Sequence, residues 1–159
     1  IALLHRPDLV IADEPTTALD VTVQAQILYE MQKLVRESGT ALIWITHDLS
    51  VVAGLADKIC VMYAGKIVER GTVDQILDHP RHPYTRGLIR SLPARSARGG
   101  ELYQIPGMTP SPLAIGEECA FRARCPRADA ACDRDPAETE LGPGRGCRCH
   151  HPHSEEEPV

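Results

Sequence analysis

The stretch LVIADEPTTALD, Leu9 to Asp20, decides how this chain is read. Leu9-Val10-Ile11-Ala12 is an unbroken apolar run that ends in two acids, Asp13 and Glu14. Such a run predicts a buried parallel strand, and Pro15 stops it. At the C-terminal edge of a strand of this kind, side chains meet the crevice where α/β sheets bind ligands. Neighbouring residues there point in different directions, so two adjacent acids can serve two tasks. An isolated Asp-Glu pair is more often a solvated turn, and only its surroundings give it meaning.

Those surroundings predict a βαβ unit. From Val21 to Glu37 the apolar residues Ile27, Leu28, Met31, Leu34 and Val35 fall on one helical face, with Asp20 as N-cap and Gly39 as the stop. A second strand, Ala41 to Thr46, follows and runs into His47 and Asp48. Strand, crossover helix and strand imply a parallel sheet. Two adjacent parallel strands would bring His47 to the edge that carries Glu14. Next come a short helix from Leu49 to Ala56 and a hairpin turning at Ala64-Gly65, in which Cys60 is expected as a small buried residue. A helix then starts at Thr72. The fold class is α/β.

Beyond residue 79 the texture changes, with 11 of the 13 prolines lying from Pro80 onward. One helix, about Tyr84 to Ser91, follows HPRHPY. Pro93 to Glu118 reads as a loop-rich connector, and 153–159 as a disordered acidic tail. The expected organisation is 1–78, 79–93, 94–152 and 153–159. The 159 residues carry a net charge of −5, which argues against a general nucleic-acid binder. No apolar run approaches the roughly 18 to 20 residues of a membrane span.

LVIADEPTTALD is similar to the Walker B strand, catalytic Glu and D-loop of ABC-type ATPases, and LIWITHD resembles their switch segment. The resemblance covers about residues 1 to 72. It implies the C-terminal part of a P-loop ABC ATPase domain, with ATP and Mg²⁺ as cofactors. Asp13 would be the acid on the Mg²⁺ side, Glu14 the general base, and His47 the γ-phosphate sensor. Thr17 to Asp20 would be the D-loop that crosses the dimer interface, and Asp20 would join the nucleotide-binding set. A phosphate cradle GxxxxGK[ST] occurs nowhere in the 159 residues, nor does an LSGGQ-type signature. Gly65-Lys66 is followed by Ile67 where a hydroxyl is required, and reads as the hairpin turn. The missing elements are expected upstream, so the chain reads as the C-terminal part of a subunit that is inactive alone.

HPRHPYTRGLIRSLP, 79–93, resembles the segment that follows the ATPase core in oligopeptide and dipeptide importer subunits. That implies a second ATP-binding subunit, transmembrane permease partners and, indirectly, a solute-binding protein, at the cytoplasmic face of the plasma membrane. DNA-repair-type ABC ATPases and a non-enzymatic metal-bound module are the competing readings. The former would show a basic surface or coiled-coil insertions, and neither is visible in the sequence.

Five of six cysteines lie in the last 41 residues, spaced C-x₅-C-x₆-C and then Cys147 or Cys149. Without a sign of export, a metal site is expected rather than disulfides. Four thiolates suit zinc or an iron–sulfur cluster, and the spacing does not decide between them. The resemblance to peptide importers implies a [4Fe–4S] cluster on Cys119, Cys125, Cys132 and Cys149, with Cys147 as a spare. His150, His151 and His153 read as solvated tail residues, with metal binding as the alternative.

Overall fold

A computed structural model describes residues 5, 7–93, 101–111 and 116–157. Parts of the expected connector (94–100 and 112–115) and the last two residues of the expected tail lie outside the described residues. The chain divides into two compact units, Ile1–Ala56 and Asp57–Val159. The predicted hairpin therefore falls in the second unit, whereas the sequence reading grouped it with residues 1–78.

In the first unit, strand β1 (Leu9–Asp13) pairs in parallel with β2 (Ala41–Ile45), in register from Leu9↔Ala41 to Asp13↔Ile45. Helix α1 (Val21–Ser38) makes the crossover, and α2 (Leu49–Leu55) follows β2. Asp20 caps α1, its carboxylate accepting from the backbone N–H groups of Thr22 and Val23. Gly39 ends it at φ 70°, a left-handed conformation that glycine adopts without the Cβ penalty. Thr40, buried beside this cap, donates to the Pro7 carbonyl and ties the helix end back to the start of β1. Leu9, Ile11, Ile43 and Ile45 share one face of the strand pair and are exposed.

In the second unit, β3 (Lys58–Tyr63) and β4 (Lys66–Thr72) form the hairpin, turning at Ala64-Gly65 with both residues at positive φ. Ile59, Val61 and Tyr63 point into the core, while Lys58, Cys60 and Met62 face outward. Cys60 is thus exposed rather than buried, because the period of two assigns it to the outer face. Thr72 caps α3 (Val73–Leu77) and forms a capping box with Gln75. Pro83 opens α4 (Pro83–Arg90), whose N-cap is His82.

The Cys-rich region adds two single-turn 3₁₀ segments, Arg122–Arg124 and Ala130–Asp133, and a second hairpin of β5 (Thr139–Gly142) and β6 (Arg145–Cys147). All pairs of this sheet are antiparallel, in the order β3-β4-β6-β5. Its core gathers around Phe121, the single phenylalanine of the chain. The ring lies 5.2 Å from Tyr63, 5.5 Å from Tyr84 and 5.9 Å from His82.

Two buried polar groups tie this sheet to the segments that follow it. Glu69, 1% exposed, accepts from the backbone N–H groups of Arg81 and His82 at 2.7 and 2.9 Å. Burial raises its pKa despite those bonds. Arg145, also buried, reaches the carbonyls of Gln75 and His79 and pairs with Glu155 at 2.6 Å. Residues of the expected disordered tail, as far as Glu157, make ion pairs with this unit. Glu155 lies on Arg145 and Arg81, and Glu157 on Arg127, Arg86 and His153. These partners are remote in sequence, so local charge alone does not announce the contacts of residues 153–157. His153 is held within this network rather than solvated.

His82 makes the second unit acid-sensitive. Its Nδ1 accepts the Tyr84 N–H that caps α4, and burial pushes the imidazole down to about 4. A folded-state pKa below the unfolded value means that the unfolded chain takes up the proton first. The stabilisation is therefore complete above pH ~6.5 and is lost as pH falls toward 4, about 3 kcal/mol over that window. Thermal melts from pH 7 to 4 should show this loss, and His82→Asn, a cap that does not titrate here, should flatten the slope.

Candidate functional site

The parallel register carries Glu14 and His47 to one edge. Asp13 is opposite Ile45, and the ladder continues one step as the Glu14 N–H donates to the Ile45 carbonyl at 2.9 Å. His47 follows two residues after Ile45. Its Nδ1 lies 2.8 Å from Glu14 Oε1. The other carboxylate oxygen, Oε2, accepts from the Thr17 hydroxyl at 2.6 Å. Glu14 sits at φ 47°, a left-handed conformation uncommon for a residue with a side chain.

The hydrogen bonds from Thr17 and then His47 lower the pKa of Glu14, while Glu14 raises that of His47. Glu14 is an ionised acceptor, and the imidazole presents Nδ1–H to it. No hydrogen bond is made by His47 Nε2 to any described residue. The imidazole is largely exposed, with 77% of its side-chain surface free, so the pair is open to a ligand.

Asp13 is exposed beside this pair, and its carboxylate takes no hydrogen bond or ion pair among the described residues. Asp20 is placed differently. Its Oδ1 is spent on the α1 cap, and no hydrogen bond or ion pair joins it to Glu14 or His47. Gln24, on the first turn of α1, lies against the buried Thr16 and reaches Asp48, the cap of α2. Neither Gln24 nor the hydroxyl of Thr17 belongs to a motif that marks its part. The visible signal for Thr17 is its place three residues after Glu14, across a turn opened by Pro15.

A second cluster forms in the Cys-rich segment. Cys119, Cys125 and Cys132 lie close enough to Cys149 to disfavour its thiolate; burial is the larger cause and pushes it up to about 11. Burial likewise raises Cys119 and Cys125, and Cys132 adds to both shifts. The backbone N–H groups of Arg127 and His151 donate to the sulfurs of Cys125 and Cys149. Cys147, on β6, is 1% exposed; burial raises its pKa, and Glu69 and Cys149 add to the shift. Asp129 and His151, 2.8 Å apart, converge with Cys132, so one potential metal-ligating atom from each lies within 4.8 Å of the others. Asp129 carried no distinguishing spacing in the sequence.

An ionised acid engaged by an imidazole at the C-terminal edge of two parallel strands is an arrangement that can hold and deprotonate a water molecule. Residues 68–132 match the family described as oligopeptide/dipeptide transporter, C-terminal region. The chain is 49% identical over 152 residues to the oligopeptide transport ATP-binding protein OppD of Salmonella typhimurium, covering 96% of this chain and 45% of that protein. It is 45% identical over 156 residues to the probable D,D-dipeptide transport ATP-binding protein DdpD of Escherichia coli, covering 98% of this chain and 48% of the relative. Over nearly all its length, the chain is similar to ATP-binding proteins of oligopeptide and dipeptide transport. It spans about half the length of the curated relatives it matches. No helix among the described residues is long and apolar enough to cross a membrane.

The pair makes a titration prediction. Glu14→Gln removes the carboxylate that raises His47, so the His47 midpoint should fall back toward the ordinary histidine value. NMR titration of the imidazole in both forms would read this; an unmoved midpoint would show that the 2.8 Å contact is not formed in solution.

Proposed function

We propose that the chain is part of the ATP-binding subunit of an ABC importer for peptides or related small solutes. The observation that carries this reading is the Glu14–His47 contact at the rim of β1 and β2. In the complete subunit, Glu14 takes a proton from a water whose oxygen bonds to the γ-phosphorus. The bond from that phosphorus to the β–γ bridging oxygen breaks, and ADP leaves. His47, held by Glu14 through Nδ1–H, offers Nε2–H to a γ-phosphate oxygen in its protonated form, which Glu14 favours by raising the imidazole pKa.

Asp13, an exposed oxygen donor without a partner among the described residues, fits a hard cation that keeps part of its water shell. Mg²⁺ supplies charge compensation to the phosphate oxygens when bound. The 159 residues hold no GxxxxGK[ST], and the matched relatives are about twice as long. Both facts support a triphosphate cradle contributed by sequence outside this chain. Head-to-tail dimerisation through Thr17–Asp20, permease partners, an indirectly engaged solute-binding protein and a place on the cytoplasmic membrane face belong to the same proposal.

We also propose that Cys119, Cys125, Cys132 and Cys149 hold a [4Fe–4S] cluster. The electrostatic influence of Cys119, Cys125 and Cys132 on Cys149 and two N–H···S hydrogen bonds support this set. Burial disfavours the ionised forms of Cys119, Cys125 and Cys149, and a positively charged iron core would offset that cost. A cluster would staple a loop-rich segment too small to build a large core.

Two outcomes test these readings. In the complete subunit, Glu14→Gln should retain ATP binding while hydrolysis falls by at least ~100-fold, the usual scale for loss of a general base. Unchanged turnover would remove Glu14 from this role. The 159-residue chain alone should hydrolyse no ATP. For the thiols, anaerobically purified protein should carry iron and acid-labile sulfide. Serine at Cys119, Cys125, Cys132 or Cys149 should reduce both, and Cys147→Ser should not. Zinc without sulfide would sink the cluster.

A further inference from the structure

We propose that Thr17 is a positioning residue for Glu14: its hydroxyl, bound to Oε2, holds the carboxylate in the orientation that faces His47. The inference rests on the reading of Glu14 as the base and adds a residue to it.

Three observations carry the proposal. Glu14 to Thr17 forms a turn closed by the Thr17 N–H donating to the Glu14 carbonyl at 3.1 Å, with Pro15 in the position that its fixed φ favours. The turn returns the Thr17 side chain to Glu14, where the hydroxyl donates at 2.6 Å. His47 holds the other oxygen at 2.8 Å, so the carboxylate is gripped at both ends and cannot rotate without breaking one bond. An ionised carboxylate offers about four lone-pair sites, and two donors leave others for a water. The grip therefore orients the base without occupying it.

The neighbouring threonine marks the contrast. Thr16 is buried and its hydroxyl meets Gln24 of α1, which is a packing role. Thr17 is exposed, where water could satisfy its hydroxyl at little cost. A short hydrogen bond between exposed groups adds little to stability. Its consequence is orientation, and the conformation of the loop from Thr17 to Asp20 thereby sets the direction of the base. Ala18, next in that loop, stands at φ 64°, so the loop departs sharply after Thr17.

The experiment compares Thr17→Val, Thr17→Ser and Glu14→Gln in the complete subunit assembled with its transporter partners, measuring ATP turnover and, separately, ATP binding. Valine keeps the shape and removes the hydroxyl, so kcat should fall roughly tenfold, the scale of one lost hydrogen bond to a charged group. The KM for ATP and the binding affinity should hold. Serine restores the donor and should recover most of the turnover. Wild-type turnover in Thr17→Val beside an inactive Glu14→Gln would overturn the role of Thr17 and leave the base in place. An active Glu14→Gln would overturn the base itself, and this inference with it. Equal losses in the valine and serine variants, or lost ATP binding, would show that the side chain serves the fold rather than the carboxylate.

Discussion

The site depends on the register of two short parallel strands. Side chains alternate along a strand, so a slip of one residue between β1 and β2 would move Glu14 and His47 to opposite faces. Three anchors hold the register. Asp20 and Gly39 fix the two ends of the crossover helix, and Thr40 joins its exit to Pro7. The Ala41 N–H donates to Asp8 at one end of the ladder, and the Glu14 N–H to Ile45 at the other. Burial contributes little to this unit as described. Val51 is its one buried apolar residue among the described positions, whereas Leu9, Ile11, Ile43 and Ile45 stay exposed. Caps and ladder hydrogen bonds therefore carry its geometry.

The second unit is organised in the opposite way. With six aromatic residues in the whole chain, its core is built by bringing Tyr63, Tyr84 and Phe121 together from distant segments. A buried carboxylate completes it. Glu69 satisfies the first N–H groups of the Arg81–His82 entry to α4, and Arg145 lies nearby to compensate its charge. Removing one partner of such a group leaves an uncompensated charge in the interior, so these contacts hold β4 to the entry of α4.

What the sequence discloses follows from the range of the forces involved. The crossover helix, its two caps, the hairpin turn and the start of α4 are all set within a few residues. Asp20, Gly39, Gly65, Thr72 and Pro83 announce them. The approach of His47 to Glu14 also follows from local elements, since one βαβ unit fixes it. The contacts of residues 153–157 are invisible in the sequence, because the arginines they meet lie at 81, 86, 127 and 145. The β5–β6 hairpin was equally hidden. Its turn residues, Gly142-Pro143-Gly144, are present, but the flanking arms lack the apolar alternation that marks a strand. Asp129 and His151 meet Cys132 only through folding that the cysteine spacing does not encode.

The backbone at Glu14 shows how the edge is built. A left-handed φ on a residue with a side chain costs on the order of 1 kcal/mol, and such strain persists where surrounding contacts over-determine it. Here the N–H is held by Ile45, the carbonyl by Thr17, and the side chain by His47 and Thr17. A relaxed strand would have continued with Glu14 alternating onto the sheet face opposite Asp13. The turn takes the chain out of the ladder immediately after its last hydrogen bond. Asp13 and Glu14, adjacent in sequence, can then present separate oxygens beside the same opening, one without a partner and one gripped. Two acids with different surroundings can take different parts in one reaction, and the strain at Glu14 is what separates them.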